Sequence, residues 1–498
     1  MDAEPDSTQN LAPPVPLAVG SIVDGWQLEE KLNTGGMAHL WRVSRVLSGD
    51  NATRSPTGTS PDADPAVGLP LIMKVPRIKG GEDPASIVGF EVEQMILPAL
   101  HGPHVPRFVA RGDFSRQPYI VMERIEGPSL RPRLDEAPLA IDEVIEIGSR
   151  VATALHDLHR QHLVHLDVKP SNIVFRSDGT AVMVDFGLSH HDRLPDLLDE
   201  EFTLPMGTGP YMSPEQVQYV RDDPRSDLFA LGVMLYHFTT GQRPFGSPES
   251  VRGLRRRLYV DPIPPRVLRA DCPPWLQEVI LKCLEVKPER RWQSGAQLAL
   301  ALQDPSQVPL TARAERTHIN GVLKRLKRWF FAVGSEPQTA PVEGVASRVM
   351  RSPIVMAAVD VDQAANELLE QLRETVRRIV VTEPGVRLAC VSVMKTARIG
   401  MDDLMDRTGQ SRHVRQLVGL KHWARPISKQ LNLEEGRLTF HVLEAPDPAA
   451  AIVEFAARNQ VDHIVMGARG NSTLRRYLGS VSSQVVAQSD CTVTVVRA

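Results

Sequence analysis

The sequence has few cysteines and no long apolar run. Its 498 residues include four cysteines, whose spacing fits neither a zinc site nor a disulfide-rich secreted domain. It lacks a run of about twenty apolar residues, which a membrane-spanning helix requires. The N-terminus also lacks a charged region followed by an apolar stretch. These absences predict a cytoplasmic protein and argue against a transmembrane receptor.

Charge of one sign is not in excess either. With 57 Lys and Arg against 60 Asp and Glu, the net charge is −3, so we expect no nucleic-acid partner. Hydrophobic residues make up 42% of the chain and charged residues 23%, as in ordinary globular proteins. Because 498 residues exceed what one hydrophobic core usually organises, the length predicts two or three domains.

The first part of the chain changes from strand-like to helix-like patterns. Residues 1–20 are rich in Pro, Asp and Ala and lack periodicity, which predicts a disordered tail. Alternation between residues 26 and 43 predicts a hairpin. The Ser-, Gly- and Pro-rich residues 48–70 predict a flexible insertion in the sheet. Helical spacing predicts a helix over 141–160, residues 173–184 resemble a short hairpin, and 227–302 are predicted to form helices broken by Pro and Gly.

The second part begins with a polar stretch and ends in an alternation of strands and helices. Residues 305–350 are predicted to form an interdomain linker. Within them, the basic amphipathic segment 322–331 predicts a helix packed on a domain, with weak membrane-surface contact as the alternative. Residues 351–498 predict an open α/β sheet. Residues 395–437 interrupt that pattern, and because acidic residues dilute their basic ones, we expect a solvated helical insertion.

Three short motifs follow one another in the centre of the chain. They are His165-Leu-Asp-Val-Lys-Pro-Ser-Asn172, Asp185-Phe-Gly187 and Ser213-Pro-Glu215. In that order they resemble the catalytic loop, the magnesium-binding loop and the end of the activation segment of protein kinases. A single Asp in a loop is more often a turn or cap residue, but chance assembly of the ordered set is improbable.

The resemblance implies a bilobal α+β protein-kinase fold over residues 21–304, with an N-lobe at 21–125 and a C-lobe at 126–304. It also implies roles for four side chains in phosphoryl transfer. Asp167 would take or orient the proton of the substrate hydroxyl, and Lys169 would neutralise the moving phosphoryl group. Magnesium, with manganese as an alternative, would be held by Asn172 and Asp185. Lysine two residues after the aspartate is typical of serine/threonine kinases.

Residues upstream of these motifs resemble the ATP site of the same family. Lys74 would grip the α- and β-phosphates, and Glu93 would pair with it, with Glu91 as the fallback. The rest of the implied site consists of the glycine-rich loop with its flanking strands, and of the hinge: Leu32, Asn33, Gly35, Gly36, Leu40, Met122, Glu123 and Ile125.

The glycine-rich loop departs most from the family pattern. Of the three glycines in that pattern only the middle one, Gly35, is kept, with Asn33 in the first place and Ala38 in the third. Asn tolerates positive φ and Ala is small, so we expect reduced but not abolished wrapping of the phosphates.

Regulation departs from the family at one residue. Leu166 stands where many kinases carry the arginine that receives a phosphate of the activation segment. We therefore hypothesise that activity does not depend strongly on phosphorylation there, although Thr203 and Thr208 lie in the segment. Thr208 is expected to contact the catalytic loop. Structural roles are implied for Asp227, as anchor of the catalytic loop, and for the pair Glu215 and Arg291.

Towards the C-terminus, Gly467-Ala-Arg-Gly470 followed by Gly479-Ser480 resembles the nucleotide-binding loop of the universal stress proteins. Backbone amides after a strand and at a helix start favour phosphate, so ATP or AMP could bind. The spacer between Gly470 and Gly479 is one residue shorter than in that family. Asp360, after the first strand, matches a position that touches the nucleoside. The alternative is a dimerisation module that makes the chain a homodimer.

Together these resemblances predict a bacterial serine/threonine protein kinase with a regulatory or nucleotide-sensing C-terminal domain. It would transfer the γ-phosphoryl group of ATP to Ser or Thr of proteins, itself included, in signalling or stress response. The alternative is a pseudokinase that binds nucleotide as a scaffold. The altered glycine loop and Leu166 favour the alternative, whereas retention of the charged catalytic residues favours activity.

Overall fold

The computed structural model describes residues 17–46, 68–77, 84–317, 353–396, 411–468 and 480–497, except positions 36, 115, 363, 384, 432, 434 and 435. Nearly all of the predicted N-terminal tail, most of the insertion at 48–70 and the basic segment 322–331 lie outside the described residues.

The N-terminal lobe is an antiparallel sheet with one long helix. Along its strands apolar residues alternate with polar ones, so that Trp26, Leu28, Trp41 and Val43 are buried on one face. The helix α1 (Pro84–Ile96) follows the fourth strand. In the described sheet the order is β1-β2-β3-β4-β6-β5. The strands are β1 (Ile22–Val23), β2 (Trp26–Thr34), β3 (Ala38–Arg45), β4 (Leu71–Pro76), β5 (Phe108–Gly112) and β6 (Tyr119–Glu123).

The second lobe is mainly helical. In α2 (Ile141–Arg160) the apolar residues recur every three or four positions and form its buried face. By contrast, α5 (Arg225–Thr240) is buried on nearly every side and lies at the centre of the lobe. The other helices are α3 (Leu197–Glu201), α4 (Pro214–Val217), α6 (Val251–Leu254), α7 (Pro265–Leu268), α8 (Pro274–Cys283) and α9 (Gly295–Gln303).

Short strands and single helical turns complete this lobe and position its loops. The strands form two pairs, β7 (Leu163–Val164) with β10 (His190–His191) and β8 (Ile173–Phe175) with β9 (Ala181–Met183). The 3₁₀ turns of the two lobes are Leu97–Ala99, Pro132–Leu134, Pro170–Asn172, Arg255–Leu258, Pro288–Arg290 and Pro305–Gln307.

Residues 305–317, predicted as the start of the linker, pack on the helical lobe. The guanidinium of Arg313 lies 2.9 Å from Glu278 and 2.9 Å from Glu285. The predicted bilobal α+β architecture is confirmed.

The C-terminal part is a five-stranded sheet, in the described residues, whose strands are all parallel. Its order is β13-β12-β11-β14-β15, so the chain reverses its direction of winding between β11 and β14. The strands are β11 (Ile354–Ala358), β12 (Arg387–Lys395), β13 (Leu438–Ala445), β14 (His463–Gly467) and β15 (Thr492–Val496). The helices are α10 (Asn366–Thr382), α11 (Arg412–Leu431), α12 (Pro448–Arg458) and α13 (Ser480–Gln488). The predicted open parallel sheet is confirmed.

Of the solvated helical insertion predicted at 395–437, the described part does contain a helix, but the prediction that it is solvated is wrong. Helix α11 buries Leu417, Trp423 and Ile427 against the sheet, and the indole N–H of Trp423 donates to the carbonyl of Leu369. Strand β13, which follows it, was not predicted at all. Arg415, His422, Arg425 and Lys429 of α11 are exposed on its other side and hide the apolar periodicity, so composition alone misled the interpretation.

Helix α3 lies where the two parts of the molecule meet. It packs against α1 on one side and against β13 and α12 on the other. One contiguous cluster of buried apolar residues includes both lobes and the C-terminal sheet. Among the described helices, none is both long and apolar enough to cross a membrane.

Candidate active site

The loop from His165 to Asn172 is fixed by a carboxylate at its base. Asp227, at the start of the buried helix α5, accepts the backbone N–H groups of His165 at 2.9 Å and of Leu166 at 2.8 Å. His159 Nε2 lies 2.9 Å from the same carboxylate. Leu166 has a φ of 61°, a conformation that is costly for a branched side chain. The contacts from Asp227 hold the loop in this strained shape.

Asp167 stands at the centre of a polar group of four side chains. Its Oδ2 accepts hydrogen bonds from Lys169 Nζ at 2.6 Å and from Asn172 Nδ2 at 3.1 Å. Its Oδ1 accepts one from the hydroxyl of Thr208 at 2.6 Å. This carboxylate is buried, and both of its oxygens accept hydrogen bonds. Three of the four residues, Asp167, Lys169 and Asn172, were predicted from the first motif.

A second group of charges faces the first. The ammonium of Lys74, on β4, lies 2.5 Å from Glu93 of α1 and 2.8 Å from Oδ1 of Asp185. Burial alone would lower the pKa of Lys74, but the Asp185 and Glu93 carboxylates outweigh it and raise that pKa above its ordinary value. The Lys74 ammonium in turn lowers the pKa of Asp185 to about 2. Both groups are therefore charged at neutral pH. Glu93, and not Glu91, makes this pair.

Except for Asn172, the side chains of these two groups line one cavity of about 510 Å³ between the lobes. Helix α1 passes close to the Asp185-Phe-Gly187 motif at Gly89. A Cβ atom added to Gly89 would stand only 2.9 Å from the carbonyl oxygen of Gly187, which shows how near the two backbones lie. The lining includes Lys74, Glu93, Asp167, Lys169, Asp185 and Thr208, together with the exposed Thr203.

The other predicted ATP-binding residues lie outside that lining, on the sheet and hinge. Leu32 and Leu40 are half-buried on β2 and β3, and Asn33 is exposed at the end of β2. Gly35 donates its N–H to the carbonyl of Ala38 at 3.0 Å, which closes the turn between these strands. Gly36 is outside the described residues.

At the hinge, Met122 is buried and Ile125 is half-buried. The carboxylate of Glu123 is bound by Arg176 of the β8–β9 hairpin, with Nη2 to Oε2 at 3.0 Å. That contact ties the hinge to the second lobe. Sequence reasoning placed Glu123 here for its backbone and missed the role of its side chain.

Oxygen ligands suited to a hard divalent cation are present in the cavity lining, at Asp185, and beside it, at Asn172, which is bonded to Asp167. Asp185 offers a carboxylate whose side chain is 44% exposed, and Asn172 offers an amide oxygen. Among the described residues, no group of three or more His, Cys, Asp or Glu forms a closed metal cage. Two protein oxygens completed by phosphate and water match the way Mg²⁺ binds in nucleotide sites.

The segment between Asp185 and Glu215 has an anionic anchor that sequence reasoning missed. The carboxylate of Asp196 accepts from Arg221 Nε at 2.7 Å and lies 3.0 Å from His190 Nδ1. It also caps α3 by accepting the N–H of Asp199 at 3.1 Å. Burial opposes the charge, yet Arg221 and His190 hold the pKa of Asp196 below its usual range. No motif marks this aspartate, so only the fold reveals its partners.

The segment ends at a buried ion pair. Arg291, with no exposed side-chain surface, makes two bonds to the carboxylate of Glu215, at 2.5 and 2.7 Å. The hydroxyl of Ser226 donates to the same carboxylate at 2.7 Å. These contacts fix the end of the segment to α5 and to the residues before α9.

The predicted C-terminal site is described in part. Asp360 follows β11 and Gly467 ends β14, so they flank the point where the strand order reverses. A Cβ on Gly467 would lie 2.9 Å from a methyl group of Leu368, so a larger residue there would make the Leu368 side chain of α10 shift. Ser480 begins α13, whereas Gly470 and Gly479 lie outside the described residues.

Comparisons with known proteins divide the chain in the same way. Residues 78–303 match the model of the protein kinase domain, and residues 352–497 match that of the universal stress protein family. Both predicted resemblances are thereby confirmed. The first match begins downstream of Lys74 and the glycine-rich loop.

Relatives are also found for the kinase part. The serine/threonine-protein kinase PknB of Mycolicibacterium smegmatis is 31% identical over 311 residues, which cover 59% of this chain and 46% of that protein. PknB of Mycobacterium tuberculosis is 30% identical, with coverages of 60% and 46%. A probable serine/threonine-protein kinase of Clostridium acetobutylicum is 25% identical, with coverages of 56% and 40%. The chain spans less than half the length of these relatives.

Proposed function

We propose that this chain, in which a protein kinase domain precedes a universal stress protein domain, transfers the γ-phosphoryl group of ATP to Ser or Thr of proteins, itself included. One observation carries the proposal. Lys74, Asp167 and Asp185, distant in sequence, line a single cavity with their charges paired and ordered.

The geometry supports a division of labour between the side chains. Lys74, held by Glu93, would bind the α- and β-phosphates. Asp167 would orient the substrate hydroxyl and take its proton as the hydroxyl oxygen bonds to the γ-phosphorus and the bond from that phosphorus to the β-phosphate oxygen breaks. Lys169, 2.6 Å from Asp167, would stabilise the charge of the transferred group. Ordered donors and charges of this kind need no reorganisation during the reaction.

The metal of the proposed reaction is Mg²⁺, with Mn²⁺ as an alternative, held by Asp185 and Asn172. A cation held by these two side chains would supply positive charge against the phosphates. Asn172 donates its amide N–H to Asp167, and its amide oxygen, which accepts a hydrogen bond from the Ser171 hydroxyl at 3.3 Å, keeps a second lone pair for the metal.

The pseudokinase alternative is not favoured. The altered glycine loop affects how closely the backbone covers the phosphates, whereas the residues that carry charge are all present, and each is paired with an opposite charge. We expect the changed loop to raise the KM for ATP more than it lowers kcat.

For the universal stress protein domain, we propose ATP or AMP binding at the reversal point between β11 and β14, where open α/β sheets commonly place ligands. Homodimerisation through this domain also remains a proposal, for which β15 is the outer strand of the described sheet. Calorimetry of the whole chain with ATP and AMP, beside its sedimentation, tests both.

Four free thiols support a cytoplasmic location.

The decisive experiment compares wild type with Asp167→Asn in transfer of radiolabelled phosphate from ATP to a generic protein substrate. Loss of a residue that handles the proton should lower kcat by about 10²- to 10⁴-fold. Asp135→Asn, at a 79% exposed side chain of the same lobe, is the matched control and should keep full activity. Incorporation that survives in Asp167→Asn would point to another catalytic residue and overturn the assignment.

A further inference from the structure

The universal stress protein domain forms ion pairs and hydrogen bonds with α3, the helix of the kinase activation segment. Arg387 of β12 makes two parallel bonds to the carboxylate of Glu200 in α3, at 2.5 and 2.6 Å. Both side chains are nearly buried, at 13% and 11% exposure. Two-point Arg–carboxylate bonds fix orientation as well as distance. The end of α3 is held too, because Arg458 donates to the carbonyl of Phe202 at 2.8 Å.

A second buried pair lies beside the first. His441 of β13 is fully buried, with Nδ1 2.9 Å from Glu201 and Nε2 3.0 Å from the hydroxyl of Thr439. Thr439 also accepts from Arg387 at 2.9 Å. The carboxylates of α3 thus meet a complementary set of donors from one strand pair, and none of these partners belongs to the kinase domain.

The same domain also contacts helix α1, which carries Glu93. Lys421 of α11 forms an ion pair with Glu91, two residues before Glu93. Its ammonium lies over two rings, 4.8 Å from the centroid of Phe114 in the N-lobe and 5.4 Å from that of Phe440 in β13. In two of these contacts, those of Arg387 and Lys421, a basic side chain of the stress-protein side meets an acidic side chain of the kinase side.

The kinase domain is assembled for catalysis while it is held in this way. The Lys74–Glu93 pair is closed, Thr208 is bonded to Asp167, and the cavity between the lobes is open. A contact that inhibited the enzyme would be expected to displace α1 or to fill that cavity. In this sequence Leu166 cannot bind a phosphate that would order the activation segment. The contacts from the C-terminal domain can order that segment instead.

From these contacts we propose that the universal stress protein domain is a built-in activator of the kinase domain. It holds α3 and α1 in the catalytic arrangement, in place of the contact between phosphate and arginine that Leu166 excludes. A ligand of the C-terminal domain that shifts β12 or β13 would thereby change kinase activity. This inference rests on the proposed kinase function, because it concerns the regulation of that activity.

The test uses the full-length chain and the variants Arg387→Ala and Lys421→Ala, which each remove one contact. Both should lower kcat by about tenfold, within the range typical of coupling between sites. Amide hydrogen exchange should become faster in residues 197–201 for the first variant and in 84–96 for the second. Arg378→Ala is the matched control, because its 73% exposed side chain pairs only within α10, with Glu374.

A double variant shows whether the two partners act through one contact. Glu200→Ala with Arg387→Ala should lose no more activity than Arg387→Ala alone. Faster exchange in α3 with unchanged kcat in both single variants would overturn the activator, and a rise in kcat would make the contact inhibitory. A wild-type chain no more active than Asp167→Asn would instead overturn the kinase proposal itself.

Discussion

The hydroxyl of Thr208 donates a hydrogen bond to Oδ1 of Asp167 at 2.6 Å. It also accepts one from Lys169 at 3.0 Å, and the backbone N–H of Thr208 donates to the same Oδ1 at 3.1 Å. The activation segment is thus fastened to the proposed catalytic residues by a hydroxyl that would have to leave both partners to accept a phosphate.

Thr208→Ala should lower kcat by about tenfold or more, because loss of one hydrogen bond to a charged group costs about 1.5–3 kcal/mol. Thr208→Ser keeps the hydroxyl and should retain most activity. Steady-state kinetics with varied ATP would separate this effect on kcat from weaker ATP binding. Equal activity in the two variants would refute a role for the hydroxyl.

Thr203→Ala should leave activity within about twofold of wild type, as expected of an exposed side chain away from special contacts. This single change is the clean test of independence from activation-segment phosphorylation, since Thr208 has a structural duty of its own. Treatment of the wild type with a phosphatase before the assay provides a second comparison. Loss of most activity in either experiment would mean that a phosphate at Thr203 is needed.

Asp196→Ala should loosen the activation segment, because it removes the carboxylate that Arg221 and His190 share. We expect a severalfold fall in kcat and faster hydrogen exchange in α3, whose N-terminus loses its cap, worth about 1 kcal/mol. Asp222→Asn, an exposed neighbour in sequence to Arg221, is the control. Normal kinetics for Asp196→Ala would show that the contacts from the C-terminal domain suffice.

Arg291→Ala should lower the free energy of unfolding of the kinase domain by about 3–5 kcal/mol, because it leaves Glu215 charged and unpaired in the interior. The comparison is Arg42→Ala, which breaks exposed pairs with Glu29 and Glu30 and should cost less than about 1 kcal/mol. Urea unfolding followed by circular dichroism measures both. Similar midpoints for the two variants would contradict a structural role for the buried pair.

Sequence reasoning succeeded where chemistry demands particular residues at short spacing. The residues Asp167, Lys169 and Asn172 are neighbours in one loop, so a local motif predicts that they act together. The pairing of Lys74 with Glu93 was also predictable, because helical geometry points Glu91 to another face. In the structure Glu91 does face elsewhere, towards Lys421.

It failed where a residue's role depends on a distant partner. Nothing in the surroundings of Arg387 or His441 indicates that β12 and β13 border an acidic helix, because neither residue belongs to a recurring pattern. Strand β13 was not predicted, because the basic residues of α11 hide the buried apolar face of that helix and made the whole segment before β13 resemble a solvated insertion. Gly467 matches a binding loop in sequence, yet its packing against Leu368 gives a second reason for glycine.

Glu200 and its partner Arg387 are separated by 187 residues of chain. During synthesis every proposed catalytic side chain leaves the ribosome well before β12 and β13 exist. A polypeptide truncated before β12 would therefore contain every proposed catalytic residue but lack the contacts of β12 and β13 with α3. In this molecule, the contacts that α3 makes with β12 and β13 would therefore form only after the proposed catalytic residues have been synthesised.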